Sequence, residues 1–347
     1  MIVSFDAYGP FILQVIASLE GRGAKLGRRI CISVVTRDRP KMLANLFASF
    51  SELIHPSSDN VSFLIVENND QRSLDDVVDT FRRDVSGTEV AYFHEGTPGI
   101  SAVRNAALNY AADKGYDFLV FVDDDEWVAE DWLVKLLAER DRLDLDIIGS
   151  PVRPVPFEPN LTLMQKVVWS GLKQSSLKSE RKCKLRSNSG QGHTIKIATG
   201  SWMGRLSFFR ETGLSFDQRY NLSGGEDWHL WAKAKSLGAK TGWASDAIVY
   251  EAVPTTRLTL SYHFRRNRDH NITEFSARYR ENPQKALRGF PLKLASRGLK
   301  FCGAVCAIPF SGGRGLVSSA TALGGLIGLL QGSVGTTANH YAKTTGC

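Results

Sequence analysis

Three stretches of the chain are apolar almost without a break, and each ends in polar or acidic residues: 30-ICISVVTRDRP-40, 61-VSFLIVENND-70 and 118-FLVFVDDDEW-127. Short apolar runs of this kind, bounded by turn residues, read as strands buried on both faces. Between them the pattern turns helical. Pro40 fits the first turn of a helix over Lys41 to Leu53. Further helices are expected at about 73–84 and 99–114, with a short strand at 89–93. This alternation predicts an α/β fold with a mostly parallel central sheet and helices on both faces. Right-handed crossovers would align Thr36, Glu67 and Asp123 along one rim. Open α/β sheets bind their ligands at such a rim.

The second half is less regular. Pro151, Pro154, Pro156 and Pro159 mark a turn-rich exit from the strand 145-LDIIG-149. Residues 255–300 read as helical and basic, and 301–347 as an apolar, Gly-rich tail. Leu316 to Val334 carries no charge and is long enough to cross a bilayer. Ser318, Ser319, Thr321, Gln331 and its glycines weaken it as a span, so a helix packed on the protein or lying in the membrane interface is expected. Residues 1–28 have no basic n-region and read as a peripheral leader rather than a signal peptide. The core domain is then expected over 29–254.

With 43% hydrophobic residues in 347, the chain can bury a large core. Its net charge of +7 is segregated. Residues 171–186 carry six Lys/Arg against Glu180, a net of +5, and their Ser and Lys content reads as a loop. Residues 257–300 carry eleven Lys/Arg against Asp269, Glu274 and Glu281, a net of +8, so the strand-rich part is acidic. Such basic blocks suit anionic lipid head groups or diphosphates. They lack the interleaved aromatics of a nucleic-acid binder. The five cysteines are scattered, and Cys302 and Cys306 lack the partners of a zinc site. A reducing cytosol without structural disulfides follows.

Candidate chemistry sits at two places. Asp123, Asp124 and Asp125 emerge at a strand end, where adjacent carboxylates repel unless a cation holds them. Hard dications such as Mg²⁺ or Mn²⁺ prefer these oxygens and commonly arrive with phosphates. The alternative is an acidic turn capping a helix from about Ala129. In 224-GGEDWHLW-231, two glycines allow a tight turn that opens a helix, and Glu226 and Asp227 occupy its first turn.

With 33-SVVTRDRP-40, 64-LIVENND-70, 98-PGISAVRNAAL-108, 119-LVFVDDDEW-127 and 224-GGEDWHLW-231 in this order, the chain resembles the family 2 glycosyltransferases of the GT-A fold, of the bacterial exopolysaccharide and cell-surface glycan type. The resemblance spans roughly 29–270. It implies a donor site in which Thr36 and Arg37 lie beside the base and ribose, with Glu67 and Asn69 at the uracil or ribose edge. Arg104 would face the nucleotide. Asp123 would contact the ribose and the metal's water shell, and Asp125 would bind Mg²⁺ or Mn²⁺ directly. Arg257, ahead of Arg265, Arg266 and Arg268, would close over the diphosphate. The resemblance further implies Asp227 as general base, Glu226 on acceptor hydroxyls and Trp228 stacked on a sugar. His263 and His270 are candidate third metal ligands. 198-ATGSWMGR-205 would pass under the donor sugar. One departure is Glu67, where the family more often has Asp.

The expectation is therefore an inverting, metal-dependent transferase. It would use a nucleotide-sugar donor, a UDP-sugar first, and a lipid-linked glycan acceptor, peripherally bound to the inner face of the cytoplasmic membrane. Two rivals remain: a sugar-phosphate nucleotidyltransferase, whose Gly-rich first loop is replaced here by TRDRP, and a non-catalytic sugar-binding protein.

Overall fold

The computed structural model describes residues 27–221, 224–311 and 313–336. The expected leader lies almost wholly outside them, as does Cys347. The chain runs β1 (Arg29–Thr36), α1 (Pro40–Ser51), β2 (Asn60–Glu67), α2 (Asp75–Asp84), β3 (Val90–His94), α3 (Ile100–Asp113) and β4 (Phe118–Asp123). Next come β5 (Glu126–Val128), α4 (Trp132–Leu143), β6 (Ile147–Gly149), β7 (Val152–Pro156), α5 (Leu163–Asn188), β8 (Ser201–Arg205), α6 (Leu206–Thr212) and α7 (Glu226–Ser236). It closes with β9 (Thr241–Trp243), β10 (Val249–Val253) and the C-terminal helices α8 (Leu260–Glu281), α9 (Pro283–Arg288), α10 (Phe290–Cys306), α11 (Ile308–Ser311) and α12 (Gly313–Ser333).

Among the described residues the main sheet has the order β3-β2-β1-β4-β8-β6-β9. Its strands run parallel apart from β8, which is antiparallel to both β4 and β6. The apolar runs are explained by burial on both faces. Along β1, Ile30, Ile32 and Val34 face one core while Cys31 and Val35 face the other. The first core gathers α1, α2 and α4, and the second gathers α3, α6 and α7. The Cys31 thiol, deep in the second, is pushed up by burial and behaves as a small hydrophobe.

The register places the expected rim. Thr36 pairs with Glu67, and Val35 with Asp123. The carboxylates do not cap a helix near Ala129. Glu126–Val128 instead pairs antiparallel with Val249–Glu251 in a second sheet, β5-β10-β7, and α4 begins only at Trp132. This small sheet brings Glu251 beside the acidic run.

The expected loop at 171–186 is helical, as part of α5. Its start is fixed by a capping box: Thr162 Oγ1 accepts from Gln165 N, and Gln165 Oε1 accepts from Thr162 N at 2.8 Å. The block's lone acid, Glu180, accepts two bonds from Arg153 on β7, at 2.6 and 3.0 Å. The cap lies upstream of the basic run, and the partner of Glu180 lies on another strand, so neither shows in the run's composition.

The glycines of α12 serve packing. Gly324 and Gly328 lie against the backbone of α8, and a Cβ at either would collide with the carbonyl oxygens of Phe264 and Arg268. Four residues apart, they form a flat face that lets two helices approach closely. The 313–333 segment is long and apolar enough to cross a membrane, and it packs against α8, α10 and α5.

Candidate active site

A cleft of about 230 Å³ opens at the rim formed by the ends of β1 and β4, with α3 on one side and β10, Arg257 and the start of α8 on the other. It is lined by Thr36, Arg37, Arg39, Asn68, Arg104, Asp123, Asp124, Asp125, Glu251, Arg257, Tyr262 and Arg266, among others. Of the residues expected at the donor, Thr36, Arg37, Arg104, Asp123, Asp125 and Arg257 are brought together here.

The floor is a lattice of carboxylates and guanidinium groups. Asp124 is 5% exposed; it accepts from Thr36 Oγ1 at 2.8 Å and from Arg39 Nη1 at 2.7 Å. Asp125 Oδ2 takes Arg39 at 3.2 Å and Arg257 at 3.0 Å, and Arg257 also reaches Glu251 at 3.1 Å. Arg104 spans two elements, with one nitrogen on Asp123 at 3.1 Å and the other on Glu226 at the head of α7. Beneath them the buried Glu126 accepts from the Asp123 amide at 2.9 Å.

These acids outnumber the arginines paired with them, and the imbalance shows in their protonation. Burial raises the Asp124 carboxyl to about 6 despite Arg39, and raises Glu226 to about 7 despite Arg104. Glu126 is held well above the usual range by burial, with Asp123 and Asp125 adding to it. A site poised this way lacks positive charge. Hard oxygens with surplus negative charge suit a dication, and Asp123 and Asp125 are the residues that would hold it. Among the described residues no group of three carboxylates, imidazoles or thiolates forms a complete cage. A cation that shares its coordination shell with substrate phosphates needs only one or two carboxylates, so the donor set fits.

The raised carboxyls predict a pH response. A carboxyl whose folded pKa exceeds its unfolded value contributes stability that is fully present below the unfolded pKa and lost as pH rises through the folded one. For Glu226 that window runs from about 4.5 to about 7. Metal-free protein should therefore lose stability across it, and Glu226→Gln should lose less. Urea midpoints at several pH values would show this; identical pH slopes in both proteins would rule it out.

Two expected donor residues are turned elsewhere. The Glu67 carboxylate is fully buried and accepts from Asn69 Nδ2, the Ser73 amide and hydroxyl, and the Tyr92 hydroxyl. Asn69 in turn accepts from the Asp38 amide at 2.9 Å. Neither lines the cleft; together they brace the loop that carries Arg37. The longer Glu side chain is what reaches Ser73 and Tyr92. In their place Asn68 borders the cleft, its Oδ1 accepting from Gly99 N at 2.9 Å.

At the second candidate motif, Gly225 (φ 92°) takes the left-handed conformation that starts α7. Glu226 is buried, with Oε2 lacking a hydrogen-bond partner among the described residues. Asp227 is more exposed, and its Oδ1 accepts from its neighbour's amide, Trp228 N, at 2.6 Å. Trp228 is 38% exposed, with the Lys196 ammonium 5.1 Å from its ring. His263 and His270 are not among the lining residues. Arg265 bonds back to Ser261, and Arg268 pairs with Asp269. Sequence reasoning missed Arg39, Asn68, Glu251 and Tyr262. Arg39 stood in plain view within TRDRP, but its target is visible only once β1 and β4 are neighbours.

A family model described as "Glycosyl transferase family 2" matches residues 31–213. The chain is similar to the succinoglycan biosynthesis protein ExoM of Rhizobium meliloti (strain 1021), at 26% identity over 313 residues, covering 87% of this chain and 94% of that protein. Its fold is similar to that of the mannosyltransferase PcManGT from Pyrobaculum calidifontis, solved in complex with GDP-Man and Mn²⁺. The TM-score is 0.59 at 14% identity, over 93% of this chain and 94% of that one. S. aureus TarS 1–349, solved in complex with UDP, matches at TM-score 0.45 and 15% identity, over 85% of this chain and 90% of that one.

Proposed function

Because the chain belongs to glycosyl transferase family 2 and is a glycosyltransferase, we propose that its cleft takes a nucleoside-diphosphate sugar, a UDP-sugar first, together with Mg²⁺ or Mn²⁺. It passes the sugar, with inversion, to a hydroxyl of a lipid-linked glycan at the inner membrane surface. The similarity to a succinoglycan biosynthesis protein supports exopolysaccharide assembly as the setting. The observation that carries this reading is the carboxylate–arginine floor, in which Arg104 joins Asp123 to Glu226.

In this reading Thr36 and Arg37 border the nucleoside, while Asp123 and Asp125 hold the cation. The bound dication would supply Lewis-acid stabilisation of the departing diphosphate. Arg39, Arg257 and Arg266 line the same cleft, where their guanidinium groups can exchange carboxylate partners for phosphate oxygens. Asp227 accepts the proton of the acceptor hydroxyl as that oxygen bonds to C1 and the C1–O bond to the diphosphate breaks. Trp228 offers a face to the acceptor sugar, and Glu226, fixed by Arg104, orients the start of α7.

A panel of UDP- and GDP-sugars, with and without Mn²⁺, tests this through nucleoside diphosphate release. Release from at least one donor that requires the metal is expected. Metal-independent release would overturn the cation's part, and no release from any donor, alone or with glycan acceptor, would overturn the reading. A non-catalytic binding protein would retain donor without turning it over.

A further inference from the structure

A second cavity, of about 330 Å³, lies among α8, α10 and α12, and shares no lining residue with the cleft described above. Its cations are Arg278 from α8 and Lys293, Arg297 and Lys300 from α10, set against the single carboxylate Glu274. Glu274 bridges Arg278 and also Arg297 at 3.7 Å, so it cannot balance all four. Burial lowers the Lys293 ammonium, and Arg278 lowers it further. Phe275, Leu292 and Leu329 complete the walls, giving a cationic pocket with an apolar margin.

Beside this pocket α10 turns an apolar stripe outward. The helix has no buried residue. Leu292 is 79% exposed and Leu299 76%, and Cys302 and Cys306 are exposed as well. Positions 292, 299 and 306 recur every seven residues and so share one face. Phe310, just beyond, is 91% exposed. The pocket residues Lys293, Ser296, Arg297 and Lys300 occupy the adjoining flank of the same helix. Large apolar side chains in line next to a cationic hollow mark an interaction surface, and an amphiphile with an anionic head matches both halves.

We propose that this cavity binds the phosphate group of an anionic membrane lipid whose acyl chains lie along the outer stripe of α10. The occupant is a lipid rather than a free anion because the stripe continues from the pocket's apolar margin. The proposal rests on the peripheral membrane association given above and locates it. Docked this way, α10 lies in the interface and α12 remains packed on α8.

Flotation of the full chain with vesicles of phosphatidylcholine alone, or with added phosphatidic acid, tests it. Wild-type protein is expected to float with the anionic vesicles, and a fraction should resist salt. Lys293→Glu/Arg297→Glu should weaken that binding at least about tenfold, since each cation near an anionic surface contributes roughly 1 kcal/mol. Arg280→Glu/Arg288→Glu, equal in charge and outside the pocket, should cost less. Leu292→Ser/Leu299→Ser should remove the salt-resistant fraction while donor turnover stays unchanged. Lys293→Gln/Arg297→Gln, gentler on the fold, should show the same order of effects. Equal losses from both charge-reversal pairs would overturn the pocket and keep the membrane reading. Wild-type protein that never floats would overturn both. Inorganic phosphate binding in the cavity without flotation would show a soluble-anion site and overturn the lipid.

Discussion

Asp125→Asn should lower sugar transfer by about three orders of magnitude, the scale of several kcal/mol of leaving-group stabilisation. Asp125 is 7% exposed and its carboxylate sits between Arg39 and Arg257 at the cleft floor. The amide has the same shape and removes the charge that would hold a cation there. Removing one partner of a buried ion pair normally costs about 3–5 kcal/mol. Here both arginines keep a second carboxylate, Arg39 on Asp124 at 2.7 Å and Arg257 on Glu251 at 3.1 Å. The variant should therefore fold, with a modest fall in Tm, and lose function by chemistry. Two measurements decide: product formation, and Mn²⁺ titration followed by electron paramagnetic resonance. Unchanged Mn²⁺ affinity in the variant would remove Asp125 from the metal site.

Strand positions were legible because β1, β2 and β4 are buried on both faces, which forces an unbroken apolar run that ends where solvent begins. The rim followed from that, and Thr36, Asp123 and Asp125 with it. What could not be read was the set of partners. Glu67 looked like a donor contact because it ends a strand beside the rim, but its side chain turns back to Ser73 and Tyr92, a geometry set by the loop after β2. Glu251 lay more than a hundred residues from the acidic run and joins it only through the β5–β10 pairing. The α5 helix was hidden because its charge resembles a disordered loop, while its cap lies upstream of the run and Arg153, the partner of Glu180, lies on β7. The glycines of α12 weakened a membrane span in the pattern for a reason visible only against α8.

Asp227→Asn should cut turnover by ~10²–10⁴-fold, the usual worth of a general base, while donor affinity stays close to that of the wild type. Two adjacent acids open α7, and the structure separates their circumstances. Glu226 is 2% exposed and its Oε1 is taken by Arg104, which also holds Asp123. Its carboxylate is thus tied into the floor of the cleft, and removing its charge should disturb donor binding as well as turnover. Asp227 is more exposed and next to Trp228, and in the proposed reading it meets the acceptor hydroxyl. Asn at this position keeps the bond to the Trp228 amide and removes the proton affinity, so the loss falls on kcat. A variant that turns over within a few-fold of wild type would make Asp227 an ordinary helix-cap acid and move the base to another group.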